Sequence, residues 1–69
     1  MEQFKNRLKD LRTEKNLTQK ELAKLLNTTD DSIFSWEKGR SQPSIEMLCA
    51  ICNVFDITAD YLIGRSDSY

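Results

Sequence analysis

There is no histidine among the 69 residues of this chain, and only two glycines, one proline and two cysteines. Without imidazole a serine or cysteine nucleophile lacks its ordinary base partner, and the carboxylates are scattered along the chain or adjacent without sharing a face. No glycine-rich loop is present to cradle phosphates. Enzymatic chemistry therefore finds no constellation to carry it. Zinc would lack ligands too, since Cys49 and Cys52 form a single CxxC with no second pair. That pair lies mid-helix in the apolar pattern IEMLCAICNVF, where free cysteine packs as a small hydrophobe, so both thiols are expected in the core. No metal, cofactor or small-molecule ligand is expected. Long apolar runs are missing as well: none approaches the roughly 20 residues that cross a bilayer. The N-terminus MEQFKNRLKD has no apolar segment of the secretory kind, so no membrane association and a cytoplasmic location are expected.

What is present is a short chain with a polarised charge. At this length one domain is expected, near the lower limit for a core without staples, because only about 60% of the unfolded surface can be buried. The net charge of −1 divides unevenly: residues 1–40 carry +2 and residues 41–69 carry −3. A basic front and an acidic rear follow.

Apolar residues recur at helical spacing and nowhere alternate with period two, which predicts an all-α chain of five short helices. The first runs from about Glu2 to Lys15, with Phe4, Leu8 and Leu11 as its buried stripe. The second has Thr18 as N-cap, Glu21 completing a capping box, Leu17 stapling onto Leu22, and a stop at Leu26 before Asn27. A tight turn leads to the third, capped by Thr29 and ended before Gly39. At about 100° per residue its wheel puts Ile33, Trp36 and Glu37 on one side, with Asp30, Asp31, Phe34, Ser35 and Lys38 on the other. GRSQP is the longest loop. Ser44 caps the fourth helix, whose Ile45, Leu48, Cys52 and Phe55 are expected to complete the core. Thr58 caps the last, with Gly64 as its stop. The domain is expected to occupy residues 1–65, followed by a short flexible tail at 66–69.

Residues 17–39, LTQKELAKLLNTTDDSIFSWEKG, resemble the helix-turn-helix of λ-repressor/Cro-like (Xre-type) transcriptional regulators, and the similarity extends over about residues 4–65. Its elements are Arg12 five residues before Leu17, the Leu17-Thr18-Gln19 entry to the second helix, Leu22-Ala23, Ile33, Trp36-Glu37-Lys38-Gly39, Pro43-Ser44, and Asp60-Tyr61-Leu62-Ile63-Gly64. In this compact five-helix architecture the third helix lies in the major groove. The resemblance implies phosphate contacts from Gln19, Ser32, Lys38 and Arg40, an inward ion pair between Arg12 and Glu37, and base reading by Thr29, Asp30, Asp31, Phe34 and Ser35.

Asp30 and Asp31 depart from the common pattern, in which amides such as glutamine occupy those positions. Three readings stand: they stabilise the first helical turn through the macrodipole; one accepts a hydrogen bond from cytosine N4 while Phe34 meets a thymine methyl; or this face serves a protein partner. The expected function is accordingly a sequence-specific regulator of bacterial, phage or mobile-element origin. It would repress by occupying a promoter, binding double-stranded operator DNA as a homodimer. The alternative is an interaction or antitoxin-like module that keeps the fold. Tyr61, Ile63 and Tyr69 are candidate dimer contacts, set against core packing for Tyr61 and simple exposure for the others.

Overall fold

Four hydroxyl side chains divide the chain into its helices, because each satisfies a backbone N–H that the first helical turn leaves without a partner. In the computed structural model, which describes residues 2–67, Thr18, Thr29, Ser44 and Thr58 accept from Glu21, Ser32, Met47 and Tyr61 respectively, three residues on in each case. The elements they open are α2 (Gln19–Leu26), α3 (Asp30–Lys38), α4 (Ile45–Phe55) and α5 (Ala59–Leu62), preceded by α1 (Glu2–Glu14). No strand occurs among the described residues. No helix among them is long and apolar enough to cross a membrane. Asn16, Asn27 and Gly39 adopt left-handed backbone at the ends of α1, α2 and α3, and Asp56 does the same after α4.

The start of α2 carries a complete capping box: Thr18 Oγ1 accepts from the Glu21 amide at 3.0 Å while the Thr18 amide donates to Glu21 Oε1 at 2.8 Å. That backbone hydrogen bond holds the Glu21 carboxyl below its usual range. A depressed folded pKa means that the stabilisation is present above the ordinary glutamate value of about 4.3 and is lost as pH falls through the lower folded value. Thermal melts of the wild type and Glu21→Ala should therefore differ at neutral pH and converge on acidification towards pH ~3. A gap that stays constant across that range would remove the carboxylate from the cap.

The core is formed by Phe4, Leu8 and Leu11 of α1, Leu22, Ala23 and Leu26 of α2, Ile33 and Trp36 of α3, Ile51 and Phe55 of α4, and Leu62 of α5. α3 packs between α1 and α2, while α4 and α5 close the far side against α2 and α1. Two expectations for α4 are corrected. Ile45 is 81% exposed, and the centre of the buried stripe is Ile51, which is fully buried, beside Phe55. Leu48 and Cys52 only flank it, half-buried, and Cys49 is exposed. At about 100° per residue Ile51 and Phe55 lie within some 40° of each other, whereas Ile45 lies roughly 80–120° and Cys49 roughly 120–160° from those two. Burial pushes the Cys52 thiol above its usual pKa, with a smaller contribution from Cys49.

The chain after α5 is tied back onto α1. Gly64 has φ +88°, and a Cβ there would lie 2.5 Å from that of Gln3, so only glycine fits between the two segments. Arg7 Nη1 donates to the carbonyls of Tyr61 and Ser66, both at 2.7 Å, and Nη2 reaches Asp67 Oδ1 at 2.9 Å. Ser66 and Asp67, in the segment expected to form a flexible tail, each accept a hydrogen bond from this guanidinium, with the Asp67 side chain itself 99% exposed. Tyr69 lies outside the described residues.

Candidate nucleic-acid interface

The turn between α2 and α3 is closed by the left-handed Asn27, and the Thr28 amide donates to the Ala23 carbonyl at 2.9 Å. This brings α3 across α2 with Ala23 and Ile33 buried in the angle between them, where a larger side chain than alanine would hold the helices apart. With Ile33 and Trp36 committed to the core, the opposite face of α3 is left outside. Thr29, Asp30, Asp31, Phe34 and Lys38 are exposed there, while Ser32 and Ser35 are half-buried. The hydroxyls of Thr29 and Ser32 lie 3.0 Å apart at the helix start.

One buried charge cluster fixes how α3 sits. Arg12 Nε donates to Glu37 Oε2 at 2.6 Å and Nη2 to Glu37 Oε1 at 3.0 Å, with the two side chains only 11% and 4% exposed. The hydrogen bond to Glu37 raises the Arg12 pKa, against the opposing effect of burial. Arg12 Nη1 also donates to the Leu17 carbonyl at 2.7 Å, and Gln19 Nε2 to Glu37 Oε1 at 3.1 Å. The end of α1, the entry to α2 and the end of α3 thus share a single polar knot. Gln19, in the first turn of α2, is held with one amide hydrogen on Glu37, leaving the second for an outside acceptor.

At this same end of α3 the chain reverses over Gly39, whose φ of +74° is left-handed. The Gly39 and Arg40 amides donate to the carbonyls of Trp36 and Ser35, at 3.2 and 2.9 Å. This reversal carries Arg40 back over Phe34, where its Cζ lies 5.3 Å from the ring centroid, and Lys38 Nζ lies 5.6 Å from the same ring. From α1, the Lys5 side chain lies against Gly39, with Nζ 3.6 Å from where a Cβ on that glycine would stand. Lys5 is a cation of this site that sequence reasoning missed. No spacing links it to residues 38–40, and only the crossing of α1 over the end of α3 brings it there.

Tyr61 and Ile63 lie apart from this face, both half-buried. Tyr61 packs against the core and carries the Arg7 guanidinium 4.3 Å above its ring. Among the described residues no three His, Cys, Asp or Glu side chains are grouped to hold a metal ion.

A family model described as helix-turn-helix matches residues 8–62. The chain is 41% identical over 65 residues to the HTH-type transcriptional activator BcrR of Enterococcus faecalis, covering 94% of this chain and 32% of that protein. To the HTH-type transcriptional regulator ImmR of Bacillus subtilis it is 31% identical, covering 88% of this chain and 48% of the other. It thus spans about half or less of these two curated relatives. An HTH-type transcriptional regulator of Methanocaldococcus jannaschii is 40% identical and is matched over 97% of its length, with 93% of this chain covered. Among solved structures, the P22 c2 repressor in complex with a synthetic operator superposes with a TM-score of 0.82 at 25% identity, over 86% of this chain and 89% of that one. With five helices in this order and the α2–α3 crossing they create, the chain belongs to the helix-turn-helix family of λ-repressor-like domains.

Proposed function

We propose that this chain binds double-stranded DNA as a transcription regulator, with α3 in the major groove. The observation that carries this reading is the exposed polar face of α3, with the Gln19 amide on Glu37 and the cations Lys5, Lys38 and Arg40 all gathered about its C-terminal end. Groups of this kind beside a helix fix its register on phosphates, while its exposed face meets base edges. Thr29, Asp30, Asp31 and Ser35 are the candidates for that face, with Ser32 beside the phosphates. A helix of this width fits the major groove of B-DNA, and its N-terminal residues reach deepest.

Two copies would act on a two-fold operator, their α3 helices about 34 Å apart, one turn of the duplex. A single module covers too little DNA for tight, selective binding. Tyr61 and Ile63 are the proposed contact between copies. Regulation would be repression by occupancy of a promoter, in the cytoplasm of a bacterial host or of a cell carrying a phage or mobile element. The exposed Asp30 and Asp31 favour a second reading, in which α3 holds a protein partner.

Selection of bound sequences from a random duplex pool, followed by titration at two salt concentrations, separates the two. Saturable binding to a selected sequence with weak binding to mixed genomic DNA is the expected result, and binding to neither would leave the partner reading. Asp31→Ala gives a sharper outcome. Removing one negative charge from the groove should tighten binding to unrelated DNA about two- to fivefold and broaden the selected sequence. The helix itself should lose about 0.3–1 kcal/mol through the macrodipole. Lower thermal stability with an unchanged selected sequence would confine Asp31 to a role in the helix.

A further inference from the structure

We infer that Phe34 is a positioning residue of this interface: its ring gathers Lys38 and Arg40 on the outer side of α3 and acts on DNA through those two cations instead of through a base. The inference rests on the DNA-binding reading above. Phe34 lies at the middle of the outer face of α3 and keeps 37% of its surface exposed, so part of its ring is open to other groups. Its ring is engaged by Arg40 Cζ at 5.3 Å and Lys38 Nζ at 5.6 Å, both inside the ~6 Å range over which a cation is attracted to the face of an aromatic ring. The two arrive by different routes. Lys38 stands one helical turn beyond Phe34 on the same side, and Arg40 is returned over the ring by the left-handed Gly39 and the hydrogen bond from its amide to Ser35.

The order of charges on α3 gives this arrangement its purpose. Asp30, Phe34 and Lys38 follow one another at four-residue intervals, so the ring separates an acidic start from a basic end. Held on the ring, the two cations lose part of their rotamer freedom before DNA arrives, which lowers the ordering cost of a phosphate contact. A helix that opens on two carboxylates can thereby still present positive charge at its far end.

The test uses the full chain with Phe34→Leu and Phe34→Tyr, each titrated against the duplex selected from a random pool and against an unrelated duplex. Phe34→Leu keeps an apolar side chain that can still meet a thymine methyl but removes the ring. It should weaken binding to both duplexes by the same factor, about three- to tenfold, with the selected sequence unchanged. Phe34→Tyr should bind both like the wild type. In a Lys38→Gln/Arg40→Gln background Phe34→Leu should cost nothing further. A loss confined to the selected duplex, or a full loss in the background without the two cations, would overturn the inference in favour of base contact by the ring. If the wild type binds neither duplex, the DNA reading fails with it, and that is seen before any variant is compared.

Discussion

Replacing Arg12 with alanine should destabilise the fold by about 3–5 kcal/mol, the range for stripping one partner from a buried ion pair. Small domains hold only about 5–15 kcal/mol in total, so this variant should be partly unfolded at 37 °C. The reason is what is left behind. Glu37 is 4% exposed at its side chain and would keep only the neutral amide of Gln19, which donates a hydrogen bond without cancelling a charge. The Leu17 carbonyl would also lose the guanidinium at the entry to α2. Arg12→Met combined with Glu37→Leu should recover most of the loss, since an apolar pair of similar volume avoids desolvating either charge. Urea denaturation of the two single variants and the double variant measures this directly. Single-variant losses below about 1 kcal/mol, the range of solvated surface pairs, would show that water reaches the cluster.

The same cluster bears on binding. Arg12 and Glu37 touch the start of α2 and the end of α3 together, so the double apolar variant separates fold from interface. It should melt near the wild type, yet its Gln19 amide would no longer be oriented by a carboxylate, and phosphate affinity should fall at every sequence alike.

Much of this architecture is legible in the sequence because it is local. A hydroxyl followed three residues later by a first-turn amide is visible in a string of letters, and so are the stops at Asn27 and Gly39, where the backbone must turn left-handed. The stripe Phe4, Leu8, Leu11 is likewise set by one period within one helix. α4 misleads because it is apolar nearly all round: IEMLCAICNVF offers more than one plausible stripe, and only packing against α2 and α5 decides which is buried. The left-handed Asp56 is equally silent, since aspartate adopts that conformation less readily than glycine or asparagine. In the interface, the residues of α3 can be assigned to a face from their spacing alone. The contacts of Lys5 with Gly39 and of Arg7 with Ser66 cannot, because each joins segments that meet only after the helices have crossed, and that of Arg40 with Phe34 depends on how the chain reverses at Gly39.

The corrected face of α4 makes the second large prediction a comparison between two isoleucines six positions apart. Ile51→Ala should cost about 2–5 kcal/mol, the range for truncating a buried aliphatic side chain and leaving its cavity. Ile51 is fully buried, and the residues around it come from helices held by their own caps and the Arg12–Glu37 knot, which limits collapse into the space. Ile45→Ala should change stability by no more than about 0.5 kcal/mol, as for surface sites generally. Ile45 is 81% exposed in the first turn of α4, so truncation removes little packing there, and alanine's better helix propensity offsets it. Chemical denaturation of the two variants side by side decides the matter. Equal losses would mean that the buried stripe of α4 runs through Ile45 after all, with the helix turned by roughly 100° about its axis. A large loss at Ile51 alone fixes the rotation that sets α4 against α2, and through α2 the angle at which α3 is presented.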